Sequence, residues 1–98
     1  MQVEILHFRP FVKNSLQGFV TIFLPEVGLE IRGCTLHEAS GKRWVGLPAK
    51  EYTTEEGKQA YSYIITFPAQ KTWKAFQHAA IAALDHFLRK EERHHVEQ

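Results

Sequence analysis

The chain of 98 residues contains little sulfur, has no long apolar run, and carries charges of opposite sign that almost cancel. Cys34 is the only cysteine, so an internal disulfide is excluded and a reducing compartment is the simpler expectation. No apolar stretch approaches the length of about 20 residues that a membrane-spanning helix needs. The first residues lack the pattern of a signal peptide. We therefore expect a cytoplasmic protein that has no membrane partner.

The sequence also lacks the strongly basic balance that marks many nucleic-acid-binding proteins. Twelve Lys and Arg residues face eleven Asp and Glu residues, which gives a net charge of +1 with histidine neutral. The charge is uneven, because residues 42–74 hold six cations and three anions, a local net charge of +3. A modest basic patch is therefore expected in the middle of the chain, and a strong non-specific grip on a polyanion is not.

No constellation of catalytic or metal-binding residues is recognisable. The six histidines include no pair at the four-residue spacing of a helical metal site, and no cysteine cluster completes a ligand set. Cys34 and His37 are three residues apart on a predicted strand, so their side chains should point to opposite faces. We expect Cys34 to be a buried structural thiol, and we expect no enzyme activity, no metal and no cofactor.

Short segments of alternating polarity, followed by one segment of helical period, predict the fold. The predicted strands occupy residues 3–8, 19–24, 29–37, 42–47 and 60–67, with residues 19–24 buried on both faces. Arg9-Pro10 should end the first strand, Gly33 should form a bulge, and residues 48–57 should form a polar loop. An amphipathic helix is predicted from about residue 70 to residue 92, with a frayed tail over residues 93–98.

These elements predict a single α+β domain over residues 1–98. A twisted antiparallel β-sheet of about five strands is followed by one C-terminal amphipathic helix, whose apolar stripe must cover one face of the sheet. Large aromatic residues on that stripe and open sheet edges favour a dimer.

The most informative segment is residues 41–63, in which cationic and aromatic side chains alternate with glycine and proline. Cations hold phosphates and flat rings stack on bases, so this composition suits a surface for single-stranded nucleic acid. The same composition is also typical of an ordinary twisted hairpin with solvated lysines, because strands favour aromatic residues for packing. From the residues alone both interpretations stay open.

Part of this region resembles the stage V sporulation protein G (SpoVG) family of small bacterial regulators. The matching residues are Glu30-Ile31-Arg32, Gly41, Trp44-Val45 and Leu47-Pro48-Ala49-Lys50. The resemblance implies a twisted antiparallel sheet with a helix, homodimerisation, and binding of DNA and RNA in gene regulation. It also implies that Arg32 and Lys50 contact phosphates.

The chain departs from that family at its C-terminal end. Residues 89–93 mix three cations with two anions where the family carries a basic stretch that discriminates between DNA targets. The order of strands followed by a helix also resembles the single-stranded-DNA-binding coactivators known as positive cofactor four. That second resemblance is one of layout, and it too implies a nucleic-acid partner.

The sequence therefore leads to one hypothesis and one alternative. The hypothesis is a non-enzymatic, homodimeric regulator that binds single-stranded DNA or RNA through cations and stacking rings that share one surface. The alternative is a protein–protein interaction module or accessory factor that docks a peptide on a sheet edge. The candidate nucleic-acid-binding residues are Arg32, Lys42, Arg43, Trp44, Lys50, Tyr52, Lys58, Tyr61, Tyr63, Lys71 and Lys74.

Overall fold

A computed structural model describes residues 1–96 and confirms the α+β class, with six antiparallel strands in two sheets followed by one helix. The elements are β1 (Glu4–Lys13), β2 (Leu16–Leu24), β3 (Leu29–Ala39), β4 (Lys42–Gly46), β5 (Ala49–Thr53), β6 (Gln59–Tyr63) and α1 (Gln70–Val96). Four strands form one sheet in the order β1-β2-β3-β4, and β5 and β6 form a separate two-stranded hairpin. We call the face of the four-stranded sheet that α1 covers the inner face, and the opposite one the outer face.

Tight turns set the register of the four-stranded sheet. Ser40 and Gly41 connect β3 to β4, and both have positive φ, at 53° and 76°. Two successive residues with positive φ are typical of a type I′ hairpin turn, whose twist matches that of the flanking strands. The turn places Ala39 opposite Lys42. The Ala39–Lys42 pair at the turn sets the register of all the other residue pairs along β3 and β4.

The predicted bulge at Gly33 is confirmed. Val20 pairs with Cys34 and Ile22 pairs with Ile31, so β3 has one residue more than β2 over this stretch. Gly33 takes a φ of 82°, which a residue with a Cβ rarely adopts. The extra residue returns Ile31 and Cys34 to the same face, and both are buried.

Two predictions for the first half of the chain are wrong, one of a strand boundary and one of burial. β1 continues past Pro10 to Lys13, because β1 is an edge strand and the missing N–H of proline costs no ladder bond there. The second error is the prediction that residues 19–24 are buried on both faces. Val20, Ile22 and Leu24 are buried, whereas Phe19 and Phe23 are half-buried, since α1 covers the inner face alone.

The second half of the chain also differs from the prediction. The predicted polar loop contains β5, so there are six strands rather than five. β6 ends at Tyr63 rather than at residue 67. The helix continues to Val96, which includes residues 93–96 of the predicted frayed tail. Residues 97 and 98 of that tail lie outside the described residues.

The core lies between the inner face and α1. Phe76, Ala80 and Leu84 follow each other at intervals of four residues, so they form one stripe on the helix, and all three are fully buried. They pack against buried aliphatic side chains of β2, β3 and β4. Cys34 belongs to this core, and burial raises the pKa of its thiol to about 12. A thiol with so high a pKa is a poor nucleophile at neutral pH, which fits a structural role.

The helix also closes part of the sheet edge at β4. The side-chain amide of Gln77 accepts a hydrogen bond from the Val45 N–H at 2.8 Å and donates one to the Val45 carbonyl at 2.7 Å. Both edge-facing backbone groups of Val45 are therefore satisfied by α1 rather than by another strand. In the part of the chain that the structure describes, no helix is both long and apolar enough to cross a membrane.

Candidate nucleic-acid interface

A stacked pair of rings lies on the outer face at the β3–β4 end of the sheet. His37 of β3 pairs with Trp44 of β4 across the hairpin, so both side chains project from the outer face. Their ring centroids are 5.4 Å apart and their planes differ by 9°, which is a parallel stack. Trp44 remains 38% exposed despite this stack, so part of its indole is accessible from solvent.

Two hydroxyl groups fix the imidazole beneath Trp44. The Ser15 and Thr35 hydroxyl oxygens lie 3.0 Å from Nδ1 and 2.8 Å from Nε2 of His37, respectively. A hydroxyl donates or accepts, so these contacts suit either tautomer. Burial lowers the pKa of His37 below its ordinary value, which favours the neutral ring at pH 7.

Gly46 is the neighbour that makes room for this arrangement. A Cβ at residue 46 would lie 2.5 Å from the Thr35 hydroxyl oxygen and 3.6 Å from Nε2 of His37. Thr35 and Gly46 are paired directly across β3 and β4. Glycine is therefore the residue that lets the Thr35 hydroxyl reach the imidazole.

Aromatic side chains from two other elements complete a groove around the stacked pair. Tyr61 and Tyr63 of β6 and Trp73 of α1 line the same space as His37 and Trp44, a groove of about 470 Å³. Tyr61 and Tyr63 are 64% and 59% exposed, so their rings are accessible from solvent. We call this space the aromatic groove. It brings together three of the four aromatic residues that the sequence nominated.

The fourth aromatic candidate lies on the other side of the β5–β6 hairpin. Tyr61 pairs with Glu51, whereas Tyr52 pairs with Ala60. Because side chains alternate along a strand, Tyr52 and the neighbouring Lys50 project from the face opposite to that of Tyr61. The hairpin therefore turns Tyr52 and Lys50 away from the aromatic groove and places a carboxylate beside Tyr61.

Three of the nominated cations are engaged by carboxylates. The Arg43 guanidinium donates to both carboxylate oxygens of Asp85, at 2.7 and 3.0 Å, on the inner side of the sheet. This contact raises the pKa of Arg43 and lowers that of Asp85. Arg32 lies 2.6 Å from Glu30. Lys58 lies 3.9 Å from Glu56, a loose pair in which both side chains are exposed.

Apart from Lys50 on β5, the remaining nominated cations are divided between two elements. Lys42 is exposed and shares the outer face with Trp44, because the two residues are two positions apart on β4. Lys71 and Lys74 are exposed in the first turns of α1, on either side of Trp73 in sequence. The nominated cations and rings therefore do not share one surface. The surface that exists is mainly aromatic, with Lys42 on the same sheet face.

Several lining residues of this groove lie outside the nominated set. Among them are His37, Ser15 and Thr35, and also Trp73, whose place on the helix stripe predicted a core residue or a partner surface. The Ser-Gly turn offered a signal for His37, since counting back from a two-residue hairpin loop pairs residue 39 with 42 and residue 37 with 44. No comparable local signal connects Ser15 to His37, because they are 22 residues apart.

Within the described residues, the geometry supports neither a metal site nor a Cys34–His37 nucleophile pair. Among residues 1–96, no group of three or more His, Cys, Asp or Glu side chains is placed to hold a metal ion. Cys34 is buried on the inner face and His37 lies on the outer face, as their spacing predicted, so the two side chains do not meet.

No family model, no curated protein and no solved structure matches the chain. The implications of the sequence resemblance therefore rest on the quoted motifs.

Proposed function

We propose that this protein is a non-enzymatic regulator that binds single-stranded DNA or RNA in the aromatic groove and acts as a homodimer. The observation that carries the proposal is the stack of a partly exposed Trp44 on His37, with Tyr61 and Tyr63 lining the same groove. A ring that is already held flat loses little conformational freedom when a base stacks on it. Base stacking on protein rings contributes about 1–3 kcal/mol per base.

The aromatic groove favours single strands over duplexes, and the few cations near it predict a weak dependence on salt. Unpaired bases can enter an aromatic groove, whereas the bases of a duplex are stacked on each other and present only their edges. Lys42 is the nominated cation of β4 that shares the outer face with Trp44, so few phosphates are neutralised at the groove itself. We expect the logarithm of affinity to fall with the logarithm of salt concentration by about 0.7 per neutralised phosphate. A shallow slope is therefore part of the proposal.

Homodimerisation rests on the sequence resemblance and on the shape of the sheet. β1 pairs with β2 along one side, and in the described residues no strand pairs with its other side. The exposed edge of β1, in which Pro10 alone lacks an N–H donor, is a template for pairing with a second chain. Two copies would supply two aromatic grooves, and a strand that reaches both would gain affinity through effective concentration.

Fluorescence anisotropy with labelled single- and double-stranded DNA and RNA, at two salt concentrations, tests the proposal. We expect binding to single strands, a loss of about 5- to 100-fold for Trp44→Leu, and a similar loss for Tyr61→Leu. Tyr52→Leu is the matched control, because it removes an exposed tyrosine from the opposite face of the same hairpin. Quenching of Trp44 emission in a Trp73→Phe background would report stacking on the indole directly.

Two results would contradict the proposal. The first is the absence of binding to any oligonucleotide at low salt, which would favour the alternative of a protein-interaction module that uses the free β1 edge. The second is equal loss of affinity in Tyr61→Leu and Tyr52→Leu, because the groove would then have no special role.

A further inference from the structure

The outer face of the sheet carries a row of side chains that leads away from the aromatic groove. Gly46 pairs with Thr35, Thr35 pairs with Phe19, and Phe19 pairs with Arg9. Directly paired residues of antiparallel strands project from the same face, so this row crosses all four strands. It begins beside the His37–Trp44 stack and ends at the edge strand β1.

The far end of the row combines a ring with a cation. The Arg9 guanidinium lies 4.8 Å from the centroid of the Phe19 ring, a cation–π arrangement. The Phe11 ring lies 5.8 Å from the same ring in a tilted arrangement. Arg9 and Phe11 are exposed and Phe19 is half-buried. An aromatic ring with a guanidinium over it presents the two kinds of group that contact a base and its phosphate.

Charge divides the outer face into two halves. The half that contains the row carries Arg9, Lys13 and Lys42, and no carboxylate by register. None of these three cations takes part in an ion pair with another described residue. We call this half the basic half.

The other half of the outer face is acidic. It carries Glu4 and Glu30, which pair with the two sides of Phe23. Its cation Arg32 is held by Glu30 at 2.6 Å. A polyanion is attracted to the basic half and repelled from the acidic half, so the occupant that complements this face is a phosphate backbone.

We propose that a single strand held in the aromatic groove continues across the basic half of the outer face and places a second base at Phe19, with its phosphate on Arg9. The inference rests on the proposed function and extends it to residues that the groove does not contain. The path runs perpendicular to the strands. Three inter-strand steps separate β4 from β1, about 14 Å in all. A strand that fills the groove and follows this path is therefore longer than one held in the groove alone.

The test compares a short and a long oligonucleotide, oligothymidylates of four and twelve nucleotides, by quenching of tryptophan emission and by anisotropy. The long oligonucleotide should bind wild type more tightly than the short one. Phe19→Leu and Arg9→Ala should each weaken binding of the long oligonucleotide by about 5- to 20-fold, as expected for one lost stacking or phosphate contact. Binding of the short oligonucleotide should remain within about twofold, which also shows that each variant is folded.

Phe23→Leu is the matched control for Phe19→Leu. Both residues are half-buried phenylalanines on the outer face of β2, and Phe23 lies between Glu4 and Glu30 in the acidic half. Phe23→Leu should leave the affinity for both oligonucleotides unchanged.

The possible failures are distinguishable. If wild type binds neither oligonucleotide, the proposed function itself is wrong. If wild type binds both with equal affinity, or if Phe19→Leu and Phe23→Leu have equal effects on the long one, the path across the sheet is wrong. In those cases the aromatic groove keeps its role, because the Trp44 and Tyr61 variants test it separately.

Discussion

The two faces of the four-stranded sheet are built from alternate residues of the same strands, yet they do different things. On the inner face Val20, Leu36 and Val45 are buried against Phe76 and contribute apolar area to folding. On the outer face the residues between them keep part of their surface in water. The faces share a backbone but have no side chain in common.

Under the proposed function, a chain of 98 residues separates stability from recognition by using one sheet face for each. A single helix covers one face, so the other face is free to carry exposed rings and unpaired cations without weakening the core. Rings that are exposed in this way need support from their own neighbours. The Ser15 and Thr35 hydroxyl groups provide it for His37, and His37 provides it for Trp44.

The sharpest test of the separation replaces one aromatic residue on each side of the sheet. Phe76→Ala should lower the free energy of unfolding by about 3–5 kcal/mol, because a fully buried ring leaves a cavity. Trp44→Leu should lower it by less than about 1 kcal/mol, because the indole is partly exposed. Urea unfolding followed by circular dichroism measures both. Equal losses would show that the outer face is part of the core.

The second prediction concerns the contact that supports the outer face. Gly46→Ala should cost about 1–3 kcal/mol of folding free energy, because the new Cβ overlaps the Thr35 hydroxyl. The near-ultraviolet circular dichroism of Trp44 should change as the stack on His37 is displaced. The double variant Gly46→Ala, Thr35→Ala should recover part of the loss. No recovery would place the strain in the backbone rather than at the hydroxyl.

The third prediction tests the edge of the sheet where the faces meet. Gln77→Ala should cost about 1–2 kcal/mol, because it removes both hydrogen bonds to Val45 and leaves a backbone donor and acceptor without their partners. Lys74→Ala, an exposed change three residues earlier on the same helix, should cost much less. Light scattering should also reveal whether the uncovered edge increases self-association. Equal stability of the two variants would contradict this role for Gln77.

The smallest expected effect is a pH dependence on the outer face. Burial lowers the pKa of His37 in the folded state, so the unfolded chain binds its proton at a higher pH than the folded chain does. Stability from this residue is fully present above the unfolded pKa of 6.5 and is lost as pH falls through the lower folded value. Urea unfolding between pH 5 and pH 8 should show a steeper decline for wild type than for His37→Gln. An identical decline would exclude His37 as its source.

The inner face was more predictable from sequence than the outer face, for a physical reason. Apolar period alone indicates which residues enter a core, so the helix stripe, the Gly33 bulge and the α+β class could all be read directly. The continuation of β1 past Pro10 could not, because whether a proline is tolerated depends on which strand lies at the edge. Strand order is a property of the whole sheet.

The candidate surface was only partly predictable. Trp44, Tyr61 and Tyr63 were nominated from composition and line one groove. Arg43 was nominated on the same grounds, but it is bound to Asp85, 42 residues away in sequence. Composition indicates which side chains are available for binding, whereas contacts between distant segments decide which of them remain free.

The Gln77 amide at Val45 has a consequence for how copies of this chain could join. It occupies the hydrogen-bonding groups that an incoming strand would need at that position of β4, so the border of the large sheet that α1 does not block in this way is β1, where Pro10 alone lacks an N–H donor. When two identical edge strands pair antiparallel, a two-fold axis relates them, and each satisfies the free backbone groups of the other. Growth of the four-stranded sheet through β1 would thus stop at a pair, without a route to longer stacks.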